Sequence, residues 1–271
     1  MSAPGTLDEQ APVDEQVALE PAADGTGGAG RRRLLGYLWT PLLVGASWLA
    51  FYLWLDQREL GSIERRSLTW GNVRTAFLQH LDISLWATFW VIVLAVPVGI
   101  ALTRPWAKRF AGPVVTVANV GQGIPSLGTI VLAFLIVSRS GRNAAIIGLV
   151  AYSFLPILRG TMVGLQQVQR DVIKAARGMG MSKGQVLRQI ELPLSVPVVL
   201  TGVRTSLVLT VSSAPLAAFI GAGTLGAFIT SGFALTRPTL IYTGSILAAG
   251  LALLADWAGG IVEDVLRPKG L

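Results

Sequence analysis

The chain has 271 residues, of which 52% are hydrophobic and 14% are charged, and its mean hydropathy is +0.60. This composition excludes an ordinary soluble domain and indicates a protein that crosses a membrane several times. The formal net charge of +7 comes from basic residues beside apolar runs, where they set the orientation of the chain in the membrane rather than bind nucleic acid. The absence of cysteine excludes disulfides, Cys-ligated zinc and thiol catalysis.

The amino-terminal thirty residues predict a disordered, acidic cytoplasmic tail, because they are rich in Ala, Gly, Pro and acids and carry little apolar area. Arg31, Arg32 and Arg33 then precede an uncharged run over 34–55, which is long enough to span a bilayer. This run is too long for the apolar region of a signal peptide and no small-residue cleavage site follows, so we expect a permanent anchor. Residues 31–79 are therefore predicted to hold the first transmembrane helix and an external segment.

Five further runs are each close to the roughly 20 residues that cross a bilayer. They cover 83–103, 112–138, 144–165, 196–220 and 239–261. The sequence thus predicts an all-α membrane protein with six transmembrane helices, five of them in a core over 80–265, and a cytoplasmic tail over 266–271. With both termini inside, cytoplasmic segments hold fourteen Lys and Arg residues against seven outside, so the positive-inside rule places both termini in the cytoplasm.

The loop between the fourth and fifth predicted spans contains two short helix signals. Its apolar residues recur at helical spacing and form one narrow stripe, namely Val168, Val172, Ala175, Ala176 and Met179. Gly178 and Gly180 predict the end of this helix. The spacing of Ser182 and Gln185 predicts a capping box for a second helix, which Pro193 is expected to end. Because helices below about 12 to 15 residues are marginal in water, each packs either on this chain's own spans or on a partner.

The spacing of residues in this loop resembles the EAA loop of the permease subunits of ABC importers. The matching residues are Lys174, Ala175 and Ala176, then Gly180, and nine residues later Ile190, Leu192 and Pro193. Four other segments resemble the osmoprotectant branch of these importers, which takes up glycine betaine, choline, carnitine and related compounds; they cover 118–127, 155–159, 178–181 and 220–226. The resemblance extends over roughly residues 80–265.

This resemblance implies a type I importer fold with a cytoplasmic coupling helix at about residues 172–181. It also implies a second permease subunit, identical or paralogous, two ABC ATPase subunits that bind ATP and Mg²⁺, and an external substrate-binding protein. The residues implied to couple to the ATPase are Lys174, Ala175, Ala176, Gly178, Met179, Gly180, Met181, Ile190, Leu192 and Pro193. Lys174 stands where the family usually has Glu, so the ion pair that this Glu would make with the ATPase is not expected.

Polar side chains surround a glycine- and proline-rich interruption of the third predicted span. Freed backbone groups at membrane depth are tolerated only where they face protein or a watery path, so this segment lines either a translocation path or a buried kink. Its candidate path residues are Asn119, Gln122, Pro125 and Ser126, to which Tyr152 and Phe154 are added. A quaternary ammonium is held by aromatic faces, which also makes Trp86, Phe89 and Trp90 candidates. The alternative for Trp86 and Trp90 is the aromatic belt at the membrane interface.

Two intramembrane charges, Arg204 and Asp256, either pair with each other or reach the interface separately. His80 is the only histidine, and the sequence holds neither a phosphate-binding loop of the Walker A type nor a catalytic constellation. We therefore expect a chain without enzyme activity, metal or cofactor of its own. The resemblance implies that it serves as permease of an ATP-driven osmoprotectant importer in the bacterial cytoplasmic membrane. The alternatives are a permease for another small solute, such as an amino acid or a sulfonate, and an ion-coupled secondary transporter.

Overall fold

The computed structural model describes residues 26–137 and 140–266, with side chains from residue 37 onward, and the regular elements in these ranges are helical. The α-helices are α1 (Thr26–Asp56), α2 (Ser62–Ser67), α3 (Trp70–Leu102), α4 (Ala111–Gly123), α5 (Ser126–Val137), α6 (Gly141–Gln167), α7 (Arg170–Gly178), α8 (Lys183–Val186), α9 (Leu192–Ser213), α10 (Gly226–Ala234) and α11 (Pro238–Leu266). A 3₁₀ segment, Lys108–Phe110, precedes α4, and another, Ala214–Ile220, follows α9. Among the described residues, those from Tyr37 onward form one compact unit, and the helical backbone of 26–36 belongs to another.

Within the described residues, five helical stretches are long and apolar enough to cross a membrane, or six if the bent pair of α4 and α5 counts as one span, which confirms the predicted all-α membrane class. The five are Tyr37–Asp56, Trp70–Leu102, Gly141–Gln167, Lys183–Ile220 and Pro238–Leu266. Each contains most of one predicted span, and several extend well beyond it. The 33 residues of α3 measure about 50 Å, whereas the hydrocarbon core of a bilayer is about 30 Å thick. An uncharged run therefore locates the part that lipid would bury, while the helix continues past it.

The predicted span over 112–138 is interrupted where its glycines and proline indicated, but it is not a straight crossing. It consists of α4 and α5, which meet at an angle of 103°. Each helix is about 20 Å long or slightly less, too short to cross alone. The break falls at Ile124, whose backbone is extended (φ −71°, ψ 133°). The ring of Pro125 disfavours helical geometry in the residue before it, which explains this conformation.

The expected boundary of the disordered tail is wrong at one point, because α1 begins at Thr26 and residues 26–30 are helical. A helix satisfies its own backbone hydrogen bonds and needs no apolar side chains to continue past the bilayer. The remainder of the predicted tail, residues 1–25, lies outside the described residues, as does 267–271 of the predicted carboxyl-terminal tail. The segment predicted to be external contains α2 and the first turns of α3.

The centre of the bundle is α6, which packs against α3, α4, α5 and α9. Ile83 of α3, Ile130 of α5 and Leu149 of α6 are buried together in one cluster. Gly148 permits the close approach of α5, since a Cβ at this position would lie 2.6 Å from the Cα of Ile130. Small residues at such crossings are typical of membrane proteins, where tight backbone packing drives helix association.

A second close crossing holds α9 against α6, near the end of the bundle from which α7 and α8 project. A Cβ on Gly202 of α9 would lie 2.7 Å from the Pro156 carbonyl oxygen of α6. On α6 itself, a Cβ on Gly160 would lie 3.1 Å from the Val198 carbonyl oxygen. The two glycines thus fix the separation of the helices that precede and follow the α7–α8 loop.

Candidate functional site

The α7–α8 loop contains a helix, a glycine turn and a second helix, as the sequence predicts. The N–H of Met181 donates to the Ala176 carbonyl (3.2 Å), and that of Gly180 donates to the Arg177 carbonyl (3.0 Å). These two bonds, around a left-handed Gly180 (φ +87°), form a Schellman motif. Gly180 is therefore required by the turn, whereas a Cβ on Gly178 would meet no atom within 4 Å.

The predicted capping box at the start of α8 is present. The Ser182 hydroxyl accepts from the N–H of Gln185 (3.3 Å), and the Gln185 side-chain oxygen accepts from the N–H of Ser182 (2.8 Å). Both bonds satisfy donors that the first turn of a helix leaves unpaired. The direction in which the chain leaves the glycine turn is thus fixed by local chemistry.

The apolar stripe of α7 divides between two environments. Val168 and Ala176 are buried, as is Val186 of α8. In contrast, Val172 and Ala175 are exposed, and Met179 is 77% exposed. Packing on this chain's own spans therefore accounts for two of the five stripe residues, and the other three remain an apolar face open to solvent.

Lys174 lies beside this exposed face. Its Nζ donates to the Asp171 carboxylate at 3.0 Å, one turn earlier on the same helix, and both side chains are largely exposed. The pair contributes only a few tenths of a kcal/mol at such exposure. The positive charge of Lys174 is thus partly offset within α7 itself.

Pro193 does not end the second helix, contrary to the expectation from sequence. The chain is helical without a break from Lys183 to Ile220, and a π-helical turn over Leu187–Glu191 joins α8 to α9. Within this wider turn the N–H of Leu192 donates to the Leu187 carbonyl, five residues back. Pro193 follows directly, at the first turn of α9, where its missing N–H is tolerated.

A partly buried ion pair fixes this turn to the loop after α3. Arg104 Nη2 donates to Glu191 Oε2 at 2.5 Å, and the Glu191 side chain is 10% exposed. Arg104 also donates through Nε to the Thr103 hydroxyl (3.1 Å). The sequence analysis missed this contact, since the two residues are 87 positions apart and lie in separate loops.

The predicted path residues lie around the bend between α4 and α5. Asn119 Oδ1 accepts from Arg159 Nη2 of α6 at 2.8 Å. Gln122 and Ser126 are partly buried, and Pro125 is exposed. Phe154 lies across from them, where it lines an apolar concavity of about 410 Å³ together with Ala118 and Gly121. Tyr152, two positions before Phe154 on α6, is partly buried.

The aromatic candidates on α3 form a separate cluster. The Phe89 ring packs edge-to-face against Trp86 (centroids 5.7 Å apart) and Trp90 (5.5 Å). Trp86 and Trp90 line a groove of about 600 Å³ that also includes Arg142, whose guanidinium pairs with Asp82 at 2.5 and 2.9 Å. The five aromatic residues therefore do not share one cage, since Phe154 belongs to the concavity at the α4–α5 bend.

Of the two alternatives left open for the intramembrane charges, the structure shows the pair. Arg204 Nε and Nη2 each donate to one oxygen of Asp256 at 2.7 Å, in a bidentate arrangement. Glu263 lies 3.6 Å from Arg204 and also accepts from the Thr201 hydroxyl (2.7 Å). The sequence analysis missed Glu263, although its seven-residue spacing from Asp256 places both on one face of α11. Among the described residues, no group of His, Asp and Glu could hold a metal ion.

Residues 95–268 match the protein family described as binding-protein-dependent transport system inner membrane component. The chain belongs to this family. Among its similar relatives, the glycine betaine/carnitine/choline transport system permease protein OpuCB of Bacillus subtilis is 40% identical over 194 residues, which cover 71% of this chain and 88% of the relative. The carnitine transport permease protein OpuCB of Listeria monocytogenes is 44% identical over 74% of this chain and 90% of its own length. The osmoprotectant import permease protein OsmY of Salmonella typhimurium is 38% identical over 83% of this chain and 91% of its own length.

Solved structures share the fold of this inner membrane component at low sequence identity. A chain of the MetNI methionine ABC transporter, in an inward-facing conformation, gives a TM-score of 0.63 at 23% identity and covers 72% of this chain and 96% of its own. A chain of an amino acid ABC transporter gives a TM-score of 0.60 at 13% identity and covers 78% of this chain and 99% of its own. The predicted type I importer fold is thus confirmed.

Proposed function

We propose that this inner membrane component is the permease subunit of an ATP-driven importer of osmoprotectants such as glycine betaine, choline and carnitine. Support for the substrate class comes from the names of the relatives, which are osmoprotectant, carnitine or choline permeases at 38–44% identity. The sequence divides into an anchor with an external segment over 31–79 and a permease core over 80–265. Both termini lie in the cytoplasm, because that orientation places the larger number of basic residues inside.

The observation that carries the proposal is the exposed apolar face of α7. Val172, Ala175 and Met179 remain open on a helix whose end is fixed by the Schellman motif at Gly180. An isolated nine-residue helix is not stable in water by itself, and an ordered apolar helix face is a common docking element. The α7–α8 loop, with Gly178 and Met181 beside the turn, seats in a cleft of an ABC ATPase subunit, which binds ATP and Mg²⁺.

The rest of the motif holds the loop in place rather than contacting the ATPase. Ile190 and Leu192 are partly buried within or next to the π-helical turn, and Pro193 begins α9. Glu191 pairs with Arg104 from the preceding loop. This arrangement transmits displacement of α7 to α9 and to the loop after α3 at the same time.

The pathway lies between this chain and a second permease, either another copy or a paralogue, and an external binding protein delivers the solute. On this chain the pathway includes the bend residues Asn119, Gln122, Pro125 and Ser126 with Tyr152 and Phe154. Broken helices at membrane depth are tolerated next to such a pathway because water or protein can satisfy the freed backbone groups.

A substitution on the exposed face tests the docking assignment. Met179→Glu adds a charge to the apolar face and should abolish co-purification of the ATPase while the chain still inserts in the membrane. Gln166→Glu adds the same charge at an exposed position of α6, outside α7, and should leave co-purification intact. Equal co-purification of the ATPase with both variants would remove the basis for the assignment.

Reconstitution tests the transport activity. Liposomes that contain the complete assembly should accumulate labelled glycine betaine only with ATP inside and the binding protein outside. Accumulation by this chain alone, driven by an ion gradient, would instead identify a secondary transporter. A ligand-binding assay on the external receptor separates osmoprotectants from amino acids and sulfonates.

A further inference from the structure

A mainly apolar groove, lined also by a few polar and charged side chains, runs between α6, α9 and α11 on the side of the bundle that carries the α7–α8 loop. Its volume is about 530 Å³, within the roughly 300–1,000 Å³ that small-molecule pockets occupy. The close crossing at Gly160 and Gly202 forms its floor, and the hydroxyls of Thr201 and Thr205 lie along α9. These threonines are exposed, although they belong to a helix that is long and apolar enough to span a membrane.

The groove has a cation on one wall and a carboxylate on the other. Arg159 of α6 is exposed and donates to the neutral Asn119 amide, and no carboxylate of the described residues pairs with it. Glu263 of α11 also lines the groove. Its nearest cation, Arg204, already makes the bidentate pair with Asp256 and lies 3.6 Å from Glu263. Arg159 and Glu263 therefore face the groove with charge that their own contacts leave incompletely neutralised.

An intramembrane charge is costly unless it serves a partner or a pathway. An arginine guanidinium recognises a carboxylate through paired hydrogen bonds. A quaternary ammonium donates no hydrogen bond, so a carboxylate attracts it by charge alone while apolar groups such as Val163 and Val198 contact its methyls. A solute that carries both a carboxylate and a quaternary ammonium would pair with Arg159 on one wall and with Glu263 on the other.

We propose that this groove is a binding site for zwitterionic solutes, with the solute carboxylate at Arg159 and its ammonium at Glu263. The assignment rests on the proposed function and narrows it, because choline has no carboxylate and gains nothing from Arg159. Glycine betaine and carnitine carry both charges. The site therefore favours zwitterions over simple cations, independently of the selectivity of the external receptor.

The first test compares uptake of labelled glycine betaine and choline by the complete reconstituted importer. Arg159→Gln should lower the ratio of betaine to choline uptake about tenfold, the effect of losing one charge-assisted interaction, and Arg159→Lys should restore part of it. Glu263→Gln should lower uptake of both solutes and leave their ratio unchanged. The control is Arg74→Gln, which removes an exposed arginine near the start of α3. An unchanged ratio in Arg159→Gln would refute the inference.

The second test needs no turnover and uses the absence of native cysteine in this chain. In the assembled importer, glycine betaine should slow thiol labelling of Thr205→Cys severalfold, and choline should slow it less. Ser231→Cys, exposed on α10, is the control position and should label equally with or without solute. A labelling rate of Thr205→Cys that neither solute changes would refute the assignment of this site. If the unmodified importer transports neither solute, the proposed function fails first, so the two failures are distinguishable.

Discussion

Removal of the charge on Glu191 is expected to destabilise the junction between the α7–α8 loop and α9. Glu191→Gln preserves the shape of the side chain but leaves Arg104 without its counter-charge. Breaking a fully buried ion pair from one side costs about 3–5 kcal/mol. The Arg104 side chain is 26% exposed and would retain its hydrogen bond to Thr103, so part of that cost is avoided. We expect a loss of about 1–3 kcal/mol in the free energy of unfolding.

The measurement is a double-mutant cycle from thermal unfolding of the purified assembly, with Glu191→Gln, Arg104→Gln and the double variant. The coupling energy should exceed about 1 kcal/mol, since residues in one partly buried pair are not additive. The exposed pair of Asp171 and Lys174 provides a matched control on the same loop. Its side chains are 92% and 76% exposed, so the corresponding cycle should give at most about 0.5 kcal/mol.

Two results would refute this reasoning. Additivity of Glu191→Gln and Arg104→Gln within about 0.5 kcal/mol would show that the pair does not stabilise the fold. Equal coupling energies in the two cycles would show that burial does not set the magnitude.

Gly180→Val forces a branched side chain to φ +87° in the Schellman turn, so it should lower the free energy of unfolding by about 1–2 kcal/mol and reduce ATPase co-purification, whereas Gly178→Ala should be neutral. Identical behaviour of the two variants would contradict the assignment of the turn. Gly148→Ala should lower the melting temperature by an amount equivalent to about 1–3 kcal/mol, because its Cβ would lie 2.6 Å from the α5 backbone; an unchanged melting temperature would show that the crossing is loosely packed. Arg204→Asp and Asp256→Arg should each abolish uptake, and the double swap should restore it if their bidentate contact is what the membrane requires; a double variant as inactive as the single ones would rule out that requirement.

Local chemistry in the α7–α8 loop was predictable because its partners are close in sequence. The helix end at Gly180 and the capping box of Ser182 and Gln185 each depend on contacts within a few residues. The same holds for the break before Pro125, since a proline restricts the residue before it. The size of that bend, 103°, was not predictable, because packing of α4 and α5 against α6 decides it.

Contacts across the bundle followed less directly from the sequence. The pair of Arg204 and Asp256 could be proposed because isolated charges in apolar runs need partners. The pair of Arg104 and Glu191 could not, since both residues lie in polar loops where solvent is an adequate partner. Pro193 was misinterpreted for a related reason: proline ends a regular helix, but a π-helical turn just before it removes the hydrogen bond that proline cannot make.

The unbroken helical stretch from Lys183 to Ile220 has a mechanical consequence. Its 38 residues form a rod of roughly 55 Å, longer than the bilayer core is thick. A tilt of about 10° applied at its loop end would move the opposite end by roughly 10 Å if the rod stays stiff. A small rotation of the end that joins the α7–α8 loop would therefore displace the far end of this helical stretch by several times more than the loop end itself.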